Sequence, residues 1–177
     1  MLSTIAVLIP LSAFAQHIVS QRLTATPFSL SQPNLQAKIW QDRVPKLLAF
    51  RKYLQANVDR SLKLESDVFS TAFTLNGRTI VVTVLDADCG TTPKENLRTC
   101  PARVAEVNGA QVRILKEWPA FVVASRRGKA GYDASSNART QFMTIANFDP
   151  TTRQLTFADV IDGQKNQSNA SFTIPSN

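Results

Sequence analysis

Residues 68–118 read VFSTAFTLNGRTIVVTVLDADCGTTPKENLRTCPARVAEVNGAQVRILKEW, and this stretch decides the expected fold. It contains two Asn-Gly pairs, Asn76-Gly77 and Asn108-Gly109, each flanked by apolar, β-branched and aromatic residues. Asn-Gly between such runs is the strongest short-range signal for a β-hairpin, because both residues tolerate the positive φ angles of a tight turn. The sequence therefore predicts two β-hairpins, separated by a loop that Cys89 and Cys100 bracket.

The strand that follows the first turn is apolar on both faces. Ile80, Val82 and Val84 share one face, because side chains alternate along a strand. Val81 and Leu85 give the opposite face partial apolar character. A strand of this composition is buried on both sides, so we predict a central position in the sheet.

The N-terminus indicates export. An apolar run from Thr4 to Leu11 is far shorter than the ~20 residues that span a bilayer. The following Ala13-Phe14-Ala15 matches a signal peptidase site. We therefore expect a signal peptide over residues 1–15 and a periplasmic or secreted protein. The alternative is a buried first strand or helix.

The two cysteines fit a structural disulfide. An exported protein folds in an oxidising compartment, where a cysteine pair oxidises readily. The ten residues between Cys89 and Cys100 do not match a C-x-x-C redox motif. Two cysteines also cannot complete a four-ligand zinc site, and the only histidine is His17, beside the predicted cleavage point. We predict a disulfide and neither a metal nor a cofactor.

The mature chain is expected to begin with an arm and a helical segment. Residues 16–33 are rich in Ser, Thr and Gln, which predicts a flexible arm or an irregular segment laid over the core. Helices are predicted from Leu35 to Arg43, capped by Asn34, and from Lys46 to about Asn57, with Pro45 in the first turn.

One side of the second predicted helix should lie on a sheet. Leu47, Phe50, Arg51 and Leu54 recur at three- and four-residue spacing, with Leu48 at the margin of this side. The aromatic residues Trp40, Phe50 and Tyr53 are interpreted as packing residues.

The rest of the chain continues as strands. Residues 140–148 and 154–160 predict a third hairpin, and residues 171–174 a possible last strand. We therefore expect a single α+β domain over residues 34–177. In it, an N-terminal helical segment packs on a strongly curved, mostly antiparallel meander sheet of about seven or eight strands, with one disulfide.

The net charge of +7 and the pI near 9.9 indicate affinity for anions. Basic residues are concentrated in the helical segment and in a glycine- and serine-containing loop, where Tyr132 could stack on a sugar or base. Solvated surfaces that confer solubility are the alternative interpretation of both regions. The predicted binding residues are Arg126, Arg127, Lys129, Tyr132 and Arg139 in that loop, with Lys94 and Arg98 in the cysteine-bracketed loop.

A catalytic role has few candidates, and we identify no catalytic residue. A Ser-His-Asp or Cys-His site lacks a usable histidine. The carboxylate pairs Asp86 with Asp88 and Asp159 with Asp162 remain, but such pairs are common at strand ends. Asp86-Ala87-Asp88 resembles the nucleophile motif of the haloacid dehalogenase-like phosphatases. That family has Thr or Val where this chain has Gly90, and it requires a parallel sheet with alternating helices.

Three hypotheses about function remain. The first is an exported, non-enzymatic binding or inhibitor-like domain that recognises a protein or an anionic envelope component. The second is a carrier that holds a small apolar ligand within the curved sheet, and the third is a cell-envelope hydrolase that uses Asp86 and Asp88. The residues expected to line the carrier cavity are Val82, Val84, Ile114, Met143, Ile145 and Phe157.

Overall fold

Ten strands and two helices form in the residues that a computed structural model describes, which are 17–91, 97–124 and 142–176. The predicted signal peptide lies outside them. A 3-10 turn, Asp86–Asp88, joins β4 to β5. In chain order the other elements are β1 (Val19–Arg22), β2 (Thr24–Ser29), α1 (Leu35–Ile39), α2 (Val44–Asn57), β3 (Glu65–Leu75), β4 (Arg78–Leu85), β5 (Gly90–Thr91), β6 (Leu97–Asn108), β7 (Gln111–Ala124), β8 (Phe142–Asp149), β9 (Gln154–Ile161) and β10 (Gln164–Thr173).

The strands make two antiparallel sheets. A four-stranded sheet has the order β1-β8-β9-β10. A six-stranded sheet has the order β2-β3-β4-β6, and both β5 and β7 also pair with β6. The chain crosses between the sheets at Leu23, which follows β1 and precedes β2, and whose N–H donates to Thr144 O at 2.9 Å.

Tight turns connect the hairpins at the predicted positions. Asn76 and Gly77 have φ angles of 50° and 76° between β3 and β4, and Gly109 has a φ of 56° between β6 and β7. Asp162 and Gly163 form a further turn of this kind, with φ angles of 50° and 79°. β10 therefore begins at Gln164, earlier than the last strand that the sequence predicts at residues 171–174.

Two apolar cores lie on the two faces of the six-stranded sheet. The inter-sheet core, between the two sheets, includes Val82 and Val84 of β4 and Phe157 of β9. The helix-side core, between the six-stranded sheet and the helices, includes Val81 and Leu85 of β4. The predicted central, doubly buried strand is confirmed, because β4 pairs with β3 on one side and with β6 on the other.

The predicted α+β fold class is wrong. The fold is mostly β, with two sheets in place of one curved meander. The physical reason is visible in β4, whose two apolar faces both need cover. The helices cover only one face, and the four-stranded sheet covers the other.

The predicted flexible or irregular arm also differs from the structure. Within residues 16–33, β1 pairs with β8 of the four-stranded sheet and β2 pairs with β3 of the six-stranded sheet. Leu23, Phe28 and Leu30 are buried. These strands are rich in Ser, Thr and Gln because each lies at a sheet edge and only part of its side chains face a core.

Pro119 lies within β7. The register between β6 and β7 shifts between Cys100 and Ala102, so that Pro119 and Ala120 lie opposite a single residue. A β-bulge of this kind tolerates a proline, because the bulged residue gives up its ladder hydrogen bond.

In the described part of the chain, no helix is long and apolar enough to cross a membrane.

Candidate functional site

Six of the seven predicted binding residues lie outside the described part of the structure. Arg98 is the exception, and its Nη1 lies 2.5 Å from Asp86 Oδ1 in an ion pair at the start of β6. This ion pair neutralises the charge of Arg98, which the sequence-based prediction assigned to an anionic partner. The other predicted binding residues lie outside the described ranges: Lys94, Arg126, Arg127, Lys129, Tyr132 and Arg139.

The predicted disulfide is present between Cys89 and Cys100. It joins the residue before β5 to β6, and Asp86 lies beside it in the 3-10 turn. Burial raises the pKa of the Asp86 carboxyl, and the nearby Arg98 opposes this shift. The ligand-type atoms of Asp86, Cys89 and Cys100 lie within 4.8 Å of one another, but the two sulfurs are bonded together and offer no thiolate to a metal.

The hydrolase hypothesis depends on Asp86 and Asp88. The Asp86 carboxylate is occupied by Arg98, which also donates from Nη2 to Asp86 O at 3.4 Å. The side chain of Asp88 lies outside the described part of the structure. The second candidate pair includes Asp159, which is buried and accepts a hydrogen bond from Thr144 Oγ1 at 2.5 Å.

The six residues expected to line a carrier cavity do not share one face. Val82, Val84 and Phe157 are packed into the inter-sheet core. Ile114 is exposed and pairs with Ala105, which belongs to the helix-side core. Met143 and Ile145 are half-buried and alternate along β8 with the inward-facing Ala146 and Phe148. The structure therefore does not bring the predicted carrier lining together.

Buried polar contacts fix the helical segment to the six-stranded sheet. Arg103 of β6 donates through Nη1 and Nη2 to the two carboxylate oxygens of Asp42, at 2.6 and 2.8 Å, and through Nη1 to Ile39 O at 2.7 Å. Its guanidinium lies 4.5 Å from the ring centroid of Trp40. The fully buried Trp40 donates in turn from Nε1 to Thr83 Oγ1 at 3.3 Å. The packing role predicted for Trp40 is confirmed.

Carboxylates neutralise one group of arginines, which lie on the strands and on the loop between the helices. Their hydrogen bonds hold the pKa of Asp42 and of Glu106 below the ordinary range, chiefly through Arg103 and Arg113 respectively. These arginines add little free positive charge to the surface. The pairs are Arg43 with Asp42 and Glu117, Arg78 and Arg113 with Glu106, Arg98 with Asp86, and Arg103 with Asp42 and Glu117.

A second group of cations has no such partners. Five basic residues lie on α2 and on the segment that follows it, and none forms an ion pair with another described residue. The one acid among them, Asp59, accepts hydrogen bonds from the N–H and Oγ of Ser61 at 2.8 and 2.7 Å, which lower its pKa. All five are exposed except the half-buried Arg51. The five are Lys46, Arg51, Lys52, Arg60 and Lys63.

Apolar side chains lie exposed among these cations. Phe50 is 58% exposed, Tyr53 is 62% exposed and Val58, just past the end of α2, is 71% exposed. On the opposite side of α2, Leu47 and Leu48 pack against the helix-side core. The packing roles predicted for Phe50 and Tyr53 are therefore wrong. Lys46, Phe50 and Tyr53 share the outward side of α2, Lys52 lies about a quarter turn from Tyr53, and Val58, Arg60 and Lys63 follow the end of the helix. We call these seven residues the helix-2 surface.

Sequence reasoning noted the charge of this region but missed the surface. The missing signal was the spacing of Lys46, Phe50 and Tyr53, which places them on one side of a helix, while Val44, Leu47 and Leu48 lie on another.

Comparisons with models of protein families, with curated proteins and with solved structures find no match to this chain. The evidence for the candidate site therefore comes from the residues of this chain alone.

Proposed function

We propose that this protein is an exported, non-enzymatic binding protein whose helix-2 surface contacts an anionic component of the cell envelope. The observation that carries the proposal is the cluster of cations on and after α2 that have no carboxylate partner among the described residues. Unpaired cations attract anions from a distance, because no nearby carboxylate cancels their field. The arginines of the strands, in contrast, are largely neutralised.

The compartment is part of the proposal. A disulfide forms and persists where the surroundings are oxidising. The Cys89–Cys100 bond, together with the signal peptide expected over residues 1–15, supports export to the periplasm or the medium.

A binding role accounts for the contacts of the candidate catalytic groups better than hydrolysis does. Asp86 is held by Arg98, and Asp159 is enclosed beside Thr144. A hydrolytic carboxylate must reach its substrate or a water molecule. Among the described side chains of the two pairs only Asp162 is exposed, and its partner Asp159 is enclosed.

Retention on a heparin column at increasing salt concentration tests the proposal. We expect the Lys46→Gln/Lys52→Gln variant to elute at clearly lower salt than the wild type, because it loses two unpaired charges of the helix-2 surface. The matched control is Lys116→Gln/Lys165→Gln, which removes two exposed charges from β7 and β10. Equal shifts in the eluting salt concentration of the two variants would show that the positive charge acts only as a general property of the surface, and would contradict the proposal.

A further inference from the structure

The outward side of α2 is unusual because it combines unpaired cations with exposed apolar side chains. A helix on the surface of a globular protein normally has one apolar side, which packs on the core, and one polar side. In α2 the core-facing side is apolar through Leu47 and Leu48, and the outward side also carries Phe50 and Tyr53. Packing within the described chain does not explain this second apolar side.

The identity of the exposed side chains limits the partner. Tyr53 and Phe50 could stack on a sugar or a base, as aromatic rings do in many binding sites. Val58 has no ring and gains nothing from stacking, yet it is the most exposed large apolar side chain among the described residues. A partner that accepts aliphatic and aromatic side chains together offers a continuous apolar layer.

The charges supply the second requirement. Lys46 lies one helical turn from Phe50, and the exposed Lys52, Arg60 and Lys63 lie close to the apolar residues in the chain, so the partner carries negative charge next to its apolar layer. The surface of a bilayer that contains anionic lipids has both properties. Aromatic and aliphatic side chains enter the boundary between head groups and acyl chains, while lysine and arginine extend toward the phosphates.

We infer that the helix-2 surface binds the surface of an anionic lipid bilayer, with Phe50, Tyr53 and Val58 entering the head-group region and the surrounding cations contacting lipid phosphates. This inference rests on the proposed function and names its partner. Each cation near an anionic membrane contributes about fivefold to partitioning, and the contribution weakens as salt screens it. The aromatic contribution depends on burial of apolar area and persists at high salt.

Vesicle co-sedimentation tests the inference, with phosphatidylcholine vesicles that contain or lack phosphatidylglycerol. We expect the wild type to bind only the vesicles with phosphatidylglycerol. The Phe50→Ala/Tyr53→Ala variant should lose at least about tenfold in partitioning to them, because two aromatic side chains no longer enter the interface. Its retention on heparin should fall far less than its partitioning to vesicles, since no charge changes.

The matched control is Ile18→Ala/Ile114→Ala, which removes two exposed apolar side chains elsewhere and should bind as the wild type does. All variants carry the same N-terminal residues before Ile18, so differences in vesicle binding arise from the substituted side chains. Thermal unfolding of each variant verifies that the fold persists.

Several outcomes would overturn the inference, and they separate it from the proposed function. Unchanged vesicle binding by the aromatic variant would show that the apolar side chains take no part. A wild type that binds heparin but not anionic vesicles would point to a glycan or another soluble polyanion, and the proposed function would survive. A wild type that binds neither would remove both.

Discussion

Asp159 is a carboxyl group enclosed at the edge of the inter-sheet core. It is 6% exposed and accepts hydrogen bonds at Oδ1 from Thr144 Oγ1 at 2.5 Å and from the N–H of Ala124 at 3.3 Å. Burial raises the pKa of this carboxyl, although the two hydrogen bonds oppose the shift. The ionised carboxylate is therefore costly in the folded state.

We predict that Asp159→Asn stabilises the protein at neutral pH. Above its folded-state pKa, Asp159 is ionised in both the folded and the unfolded protein, and only the folded protein pays for desolvation. As the pH falls through this raised pKa, the folded protein takes up the proton first, so the penalty disappears. Urea unfolding should therefore show a higher free energy of unfolding for the variant near pH 7 and a smaller difference in acid. The amide oxygen of Asn can accept the same two hydrogen bonds.

The matched control is Asp149→Asn, for which we expect the opposite sign. Hydrogen bonds from Thr152 and Thr151 lower the pKa of the half-buried Asp149. Its stabilising effect is present above the unfolded-state pKa and is lost as the pH falls through the folded-state pKa. A loss of stability at neutral pH in the Asp159 variant would show that the charge itself is needed there.

At the scale of the element, α2 is the helix whose orientation the sequence did not settle. The three- and four-residue spacing of Leu47, Phe50 and Leu54 describes one possible apolar side, while Val44, Leu47 and Leu48 describe another, about a quarter turn away. Contact with β3 and with the helix-side core selects the second. The selection leaves Phe50 in solvent.

We predict that Leu48→Ala destabilises the protein more than Phe50→Ala. Truncation of the half-buried Leu48 should cost about 1–2 kcal/mol, which is below the cost at a fully buried leucine. Truncation of the exposed Phe50 should change the free energy of unfolding by no more than about 0.5 kcal/mol. Chemical denaturation of the two variants measures both values. A larger loss of stability for Phe50→Ala would indicate that Phe50 packs on the core, as the sequence periodicity predicts.

At the scale of the whole molecule, the inter-sheet core unites strands from both ends of the chain. It includes Leu23, which follows β1, and Ile174, which follows β10. Leu23 is buried and also marks the crossing from one sheet to the other. The two sheets therefore share one core and should unfold together.

We predict that Leu23→Ala lowers the free energy of unfolding by about 2–4 kcal/mol, as expected for a buried leucine. The far-ultraviolet and near-ultraviolet circular dichroism transitions should still coincide, because both sheets depend on the same core. The control is Ile18→Ala, at a residue that is 58% exposed in the same segment and should have little effect. A small effect of Leu23→Ala would indicate that residues 16–33 form the flexible arm that the sequence predicts.

Local features of the fold were predictable because the chemistry that determines them is local. Asn76-Gly77 and Asn108-Gly109 set turns through the φ angles their residues accept, and the alternation along β4 reports its burial on both faces. The disulfide followed from the cysteine count and the expected compartment. The Asp162-Gly163 turn carries the same kind of signal, although the predicted last strand begins only at residue 171.

The candidate site was predictable only as an excess of charge. The sequence shows that Lys46, Arg51 and Lys52 are basic, just as it shows that Arg78 and Arg103 are basic. Whether a carboxylate neutralises a cation depends on residues far away in the chain, as Glu106 is from Arg78 and Asp42 is from Arg103. Such pairs form across strands and between layers, so sequence spacing does not reveal them.

The sequence by itself determined the hairpins, the doubly buried central strand, the disulfide and the basic character of the protein. Only the tertiary structure decided that the strands divide into two sheets, that β1 and β2 belong to them, and that Phe50 and Tyr53 face solvent beside unpaired cations. The physical reason is the range of the interactions. Turn conformations and side-chain alternation depend on neighbouring residues, whereas the partner of a sheet face, a helix side or a charge is set by parts of the chain that meet only when it folds.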